Sequence, residues 1–244
     1  IIGGLTIIVL VLFYPIVFEG KTFGSPDSLN PRSSSMILEQ SRKTDGQFPL
    51  WQPWIFSGMP TADAFTYISS LYFPNYVLNL IIKSSILTQL LHLIFSGLGG
   101  FVFLRFLGLS RIVAFMGGTA FMITPFMITM IVFGHGSQMM TAAYLPWIMW
   151  MTIKVMNKPS FCGVGLLAVL MGFQLQRAHA QIAYYTWMLA GAYVLFYLLW
   201  NIKNTKEMKI KWLGLSGFLA ASLMGIGIAL LIYCLLYTSD AADE

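Results

Sequence analysis

The stretch Ile86-Leu87-Thr88-Gln89-Leu90-Leu91-His92-Leu93-Ile94-Phe95-Ser96-Gly97-Leu98-Gly99-Gly100-Phe101-Val102-Phe103-Leu104 contains no Asp, Glu, Lys or Arg and is closed by Arg105. An α-helix rises about 1.5 Å per residue and a bilayer's hydrocarbon core is about 30 Å thick, so about 20 apolar residues cross it. This stretch meets that measure. Working outward, comparable runs occur at Ile1–Phe18, Ile112–Phe133, Ala142–Met156, Phe161–Gln176, Ile182–Trp200 and Trp212–Tyr233. The runs 142–156 and 161–176 are short, and Tyr67–Ile82 is broken by Pro74 and Asn75, which suits a re-entrant or interfacial helix better than a span. The expected fold is all-α: a polytopic transmembrane helix bundle of about six to seven spans.

Composition agrees. Charged residues make up 9% of the 244 residues and apolar ones 57%, with a mean hydropathy of +0.75. Ordinary soluble domains carry about 25% charged residues, so a soluble fold is excluded. The net charge of +5 is no nucleic-acid signal, because the basic residues lie in short loops between apolar runs. Two cysteines, Cys162 and Cys234, provide neither a disulfide framework nor a metal cluster.

The chain ends read differently from its middle. Ile1 already lies inside an apolar run, and residues 234–244 (Cys234 to Glu244) resemble the translation of a synthetic sequencing adapter. Residues 1–233 are therefore expected to be one incomplete transmembrane domain, and 234–244 a scar.

Charge placement predicts topology. Arg105 and Arg111 flank one short loop, Lys154 and Lys158 the next on that side, and Lys203, Lys206, Lys209 and Lys211 fill a third. The positive-inside rule assigns that face to the cytoplasm. The outer face then receives segment 19–85 and the turns near 134–142 and 177–181. Glu19, Asp27, Glu39, Asp45 and Asp63 all fall in the first of these, whereas Glu207 is cytoplasmic.

Within loop 19–66, Asn30-Pro31 predicts a helix over Arg32–Lys43, with Met36, Ile37 and Gln40 on one face and Glu39–Lys43 paired. Trp51 and Trp54 suit the headgroup layer. Asp27, in Gly24-Ser25-Pro26-Asp27-Ser28, is placed to act as a general base or divalent-metal ligand, though Asp in such a turn also serves as an Asx-turn residue. His135 and Gln138 end the third span, and Arg177, His179 and Gln181 join the fifth to the sixth. One histidine capping a helix end would be unremarked. Two histidines and an arginine on one face point to a polar site, where the Arg177 fork suits phosphate oxygens. His92, with Gln89 one turn earlier, is an intramembrane polar pair for which packing and function both remain open.

Four motifs in order carry a resemblance. They are Phe48-Pro49-Leu50-Trp51-Gln52-Pro53-Trp54-Ile55-Phe56-Ser57-Gly58-Met59-Pro60; Leu104-Arg105-Phe106-Leu107-Gly108-Leu109-Ser110-Arg111; Gly134-His135 with Tyr144-Leu145-Pro146-Trp147; and Arg177-Ala178-His179-Ala180-Gln181-Ile182-Ala183-Tyr184-Tyr185. Together they resemble the N-terminal part of the YfhO-type bacterial membrane proteins. The resemblance implies a GT-C-like glycosyltransferase architecture with its centre in the first outer loop. It implies transfer of a sugar from a polyprenyl-phosphate carrier to an extracytoplasmic cell-envelope acceptor, at the bacterial inner membrane. Asp27 stands where this superfamily keeps a loop carboxylate, with Mg or Mn as the possible cation. The chain departs from the pattern in having Asp27-Ser28 rather than an acidic pair, and in lacking the Gly and Pro of a Gly-His-Pro-Gln turn around His179. The implied partners are membrane lipids, the lipid-linked sugar and the acceptor, with no nucleic acid. The competing expectations are a transporter or flippase of lipid-linked intermediates and a non-catalytic membrane assembly protein.

Overall fold

A computed structural model describes residues 1–24, 36–44, 46, 49, 51–53, 57–60, 72–82, 84–177, 179–200 and 205–240. In chain order the elements are α1 (Ile2–Leu12), α2 (Tyr14–Phe18), α3 (36–44), β1 (Trp51–Gln52), β2 (Met59–Pro60), α4 (Pro74–Ile81), α5 (Ser85–Phe106), α6 (Arg111–Met122) and α7 (Pro125–Val132). There follow α8 (Gly136–Ala142), α9 (Leu145–Asn157), α10 (Phe161–Leu175), α11 (Ala180–Leu199) and α12 (Thr205–Asp240). The strands form only a two-residue antiparallel ladder, Trp51 opposite Pro60. The other elements among the described residues are helices.

Among the described residues four helical stretches are long and apolar enough to cross a membrane: Ser85–Phe106, Arg111–Val132, Ala180–Leu199 and Met208–Leu230. Large apolar side chains such as Ile112, Met116 and Leu223 lie on their outer faces, as expected for helices solvated by lipid. The other expected spans are shorter. α1 and α10 are apolar but fall below that length. The run at 142–156 is divided: Pro146 starts a fresh helix after the turn at Ala143–Tyr144, so α8 and α9 together cover its depth. α4 is eight residues long, about 12 Å at helical rise. It cannot span alone.

The sequence explains the break between α6 and α7. Pro125 has no N–H for the Phe121 carbonyl four residues back and its ring crowds that turn. Thr124 takes an extended ψ of 148°, as a residue before proline prefers. Its backbone N–H and its hydroxyl both donate to Phe121 O, at 3.3 and 3.1 Å. The carbonyl orphaned by proline is thereby satisfied where water is scarce.

Glycines set the closest helix contacts. A Cβ on Gly100 would lie 2.9 Å from Gly118 Cα, so α5 and α6 touch backbone to backbone. A Cβ on Gly172 would lie 2.7 Å from Ile228, which brings α10 against α12. Close approach replaces a hydrophobic drive that lipid does not supply. The core between them is rich in methionine, including Met122, Met139, Met151, Met156 and Met171, whose unbranched chains fill irregular gaps.

The contacts also fix relative direction. Phe95 of α5 meets Tyr144 and Trp147 at the start of α9, and Gly99 one turn on meets Trp147, so these helices run parallel. α12 runs parallel to α10, with Gly217 against Val164, Gly225 against Ala168 and Met171, and Ile228 against Gly172. Arg105, Lys154 and Lys211 therefore share one end of the bundle. At that end Lys211 is buried, donates to Trp200 O and sits 5.2 Å from the Tyr197 ring centre.

In the outer loop the described helix begins at Met36. Leu38 is its buried residue, while Met36 and Ile37 are exposed, so the expected face is displaced by one position. Glu39 meets Arg42 at 3.7 Å, three residues on, in place of the expected Lys43. Both spacings are neighbours on a helix surface.

Candidate functional site

At the end of the bundle away from Arg105 and Lys154, the polar groups gather around a buried tyrosine. Tyr72 stands just before Pro74, which opens α4, and α5 places His92 opposite it. His92 Nδ1 lies 2.8 Å from the Thr88 carbonyl. A carbonyl can only accept, so Nδ1 carries the proton and Nε2 of the neutral ring accepts. Tyr72 therefore donates to His92 Nε2 across 2.7 Å. Its oxygen then accepts from the Tyr144 hydroxyl. The chain Tyr144–Tyr72–His92–Thr88 has one direction throughout. Burial pushes the Tyr72 phenol up to about 12, against the lowering effects of the Tyr144 hydrogen bond and the Arg177 charge. It stays neutral across the physiological range.

Arg177 completes the cluster. Its guanidinium carbon lies 4.7 Å from the centre of the Tyr72 ring, and the residue is 3% exposed. Such a stack gains when desolvated. The Ser137 hydroxyl donates to Arg177 O at 2.7 Å, joining the start of α8 to the turn after α10. Gln176 then ties three elements. Its Oε1 accepts from Phe73 N at 3.1 Å and its Nε2 donates to Ile228 O at 3.0 Å, so one amide fixes the Tyr72–Phe73 segment against α12.

Gln174 is wholly buried and uses both ends of its amide. It donates to Thr141 O at 3.1 Å and Thr186 Oγ1 at 2.9 Å, and accepts from Trp187 Nε1 at 3.1 Å. Gln174→Leu would take from Trp187 Nε1 the acceptor it uses, and one partner each from Thr141 O and Thr186 Oγ1, which keep Tyr144 N and Ile182 O. Unmet buried polar groups cost about 1–3 kcal/mol each, so a lower midpoint of thermal unfolding in detergent is expected. An unchanged midpoint would show that these bonds contribute nothing net.

Of the residues singled out in the sequence, Arg177 and His92 enter this cluster directly. His135 holds the N-cap position of α8, where its carbonyl accepts from Gln138 N at 2.9 Å, and both residues are half-buried. His179 holds the N-cap position of α11. Gln181 is exposed and donates to Tyr185 Oη at 2.9 Å, along its own helix surface. Trp51 covers Gly58 in the short hairpin, where a Cβ would come within 2.6 Å of the indole. Asp27 and Trp54 lie outside the described residues, as do Asp45 and Asp63.

Sequence reasoning passed over Tyr72 and Tyr144 as site residues. Their signal is positional: each stands within two residues of a proline that begins a helix, so each ring projects from a helix start. Gln174 and Gln176 were visible as amides beside Arg177. Beside the cluster is a cavity of about 540 Å³ between α4, α5 and α10, walled mainly by Phe73, Leu78, Leu91, Phe95, Leu170 and Phe173.

A divalent cation fits this arrangement poorly. Mg or Mn takes hard oxygen ligands, whereas the cluster offers imidazole, phenols and a guanidinium. Among the described residues no three His, Cys, Asp or Glu side chains are grouped to hold one. The charge present suits an anion. Comparison of the chain with protein-family models, with curated proteins and with solved structures finds no match in any of the three.

Proposed function

We propose that the chain is part of a bacterial inner-membrane glycosyltransferase that moves a sugar from a polyprenyl-phosphate carrier to an extracytoplasmic acceptor. The observation that carries this reading is the buried Arg177 stacked on Tyr72, with its carbonyl held by the Ser137 hydroxyl at the start of α8. A fixed guanidinium at a helix end suits a phosphate leaving group, because it forms parallel bonds to two oxygens. The YfhO-type motif order supports the same assignment.

In the proposed reaction the acceptor hydroxyl oxygen forms a bond to the sugar's anomeric carbon while the bond from that carbon to the phosphate oxygen breaks. Asp27 takes the hydroxyl proton. Arg177 offsets the charge that develops on the departing polyprenyl phosphate.

The rival is a transporter of the same lipid. It is favoured by His92, which lies seven residues after Ser85, about 10 Å into a spanning helix, where transporters keep binding groups. Proteoliposomes containing a labelled polyprenyl-phosphate sugar and an acceptor separate the two. The transferase reading expects label on the acceptor and free polyprenyl phosphate. Movement of intact lipid between leaflets, with no sugar released, would establish the rival.

A further inference from the structure

We infer that the cavity between α4, α5 and α10 is a seat for one acyl chain of a membrane phospholipid, inserted sideways from the bilayer. Depth is the first ground. Leu91 lies six residues into the spanning helix α5, about 9 Å along its axis, so the medium at that level is hydrocarbon rather than water. The mouth is the second. Val77, Leu91 and Val169 line the cavity and are 64%, 36% and 37% exposed, so the opening passes between α4 and α10 onto the lipid-facing surface.

The floor is the third ground. Tyr72 and both nitrogens of His92 spend their hydrogen-bonding capacity on Tyr144, Thr88 and each other. These rings can thus meet an apolar occupant without leaving a polar group unmet. Size decides between apolar occupants. A volume of about 540 Å³ matches the sites that enclose a drug-sized molecule. It suits one acyl chain and is too small to enclose a long polyisoprenoid. The inference goes beyond the proposed sugar transfer and stands without it.

The test uses the full chain in phosphatidylcholine vesicles containing a trace of phosphatidylcholine with a diazirine in mid-chain. Irradiation followed by peptide mapping is expected to give adducts concentrated on α4 and on residues 169–173, above the level at Leu219 and Leu223, which are exposed on α12. Val169→Trp fills the mouth from a partly exposed position. It should cut the α4 adducts several-fold while leaving those at Leu223 unchanged. Adducts spread evenly over all exposed helices would overturn the inference. So would undiminished α4 labelling in a folded Val169→Trp protein, or labelling of this site by a diazirine polyprenyl phosphate but not by the acyl probe.

Discussion

Arg177→Gln in the full-length protein is expected to lower sugar transfer by about 100-fold or more, the range seen when one donor to developing charge is removed. Membrane insertion should persist. Glutamine keeps a polar head of moderate size but has neither the charge nor the planar fork that would meet a phosphate. Arg177→Lys separates the possibilities. If charge alone matters, lysine restores most of the rate. If the fork and its stack over Tyr72 matter, lysine remains close to glutamine, because an ammonium cannot lie flat on the ring at 4.7 Å and still present two parallel bonds. Rates close to wild type in both variants would remove Arg177 from the reaction and leave it a packing residue. Unfolding midpoints measured alongside would separate a lost reaction from a lost fold. Asp27→Asn is the companion variant, and the proposed proton transfer expects it to be inactive while still inserted.

Gly118→Ala carries the largest expected structural effect of a single methyl group. The added Cβ would stand 2.8 Å from Phe101 N and closer still to Gly97 O, both of them backbone atoms of α5. Neither can turn aside as a side-chain tip could, so the helices must separate. Overpacking of this kind costs about 1–3 kcal/mol. Gly117→Ala next to it meets only the end of the Leu104 side chain, which can rotate, and should cost less. Gly191→Ala meets nothing within 4 Å and should be neutral or stabilising by up to about 1 kcal/mol, from helix propensity alone. The expected order of unfolding midpoints in detergent is Gly191→Ala highest, then Gly117→Ala, then Gly118→Ala. A Gly118→Ala protein as stable as Gly191→Ala would contradict the α5–α6 crossing.

The four long spans and the break at Pro125 were legible because each depends on local chemistry. Ile86–Leu104 is long and uncharged, and Pro125 has no donor, so a helix and a break follow without reference to the rest of the chain. The short run at 142–156 was legible only in part. Its length is completed by α8, whose polar Gly136-Ser137-Gln138 start reads as a loop until Arg177 O is seen to accept from Ser137. The site divided in the same way. Arg177 stood out because a guanidinium between apolar helices is costly and needs a reason. Tyr72 did not, because an aromatic ring near proline at the edge of an apolar run reads as a headgroup anchor. What makes it central is its meeting with His92, Tyr144 and Arg177, and no local pattern encodes contacts at such separation. His135 and His179 drew notice by residue type, and the structure sets both at N-cap positions of helices.

The central claim is that the turns at 134–142 and 177–181 lie at one end of the bundle and the basic helix ends at the other. Sealed inverted vesicles of a chain with Cys162 and Cys234 replaced by serine, carrying single cysteines, test it most directly. Cysteines in place of Gln138 and Gln181 should resist a membrane-impermeant maleimide until the vesicles are opened, whereas those replacing Lys158 and Lys209 should label at once. Immediate labelling of all four positions, or opposite behaviour of 138 and 181, would contradict the shared end on which the proposed site depends.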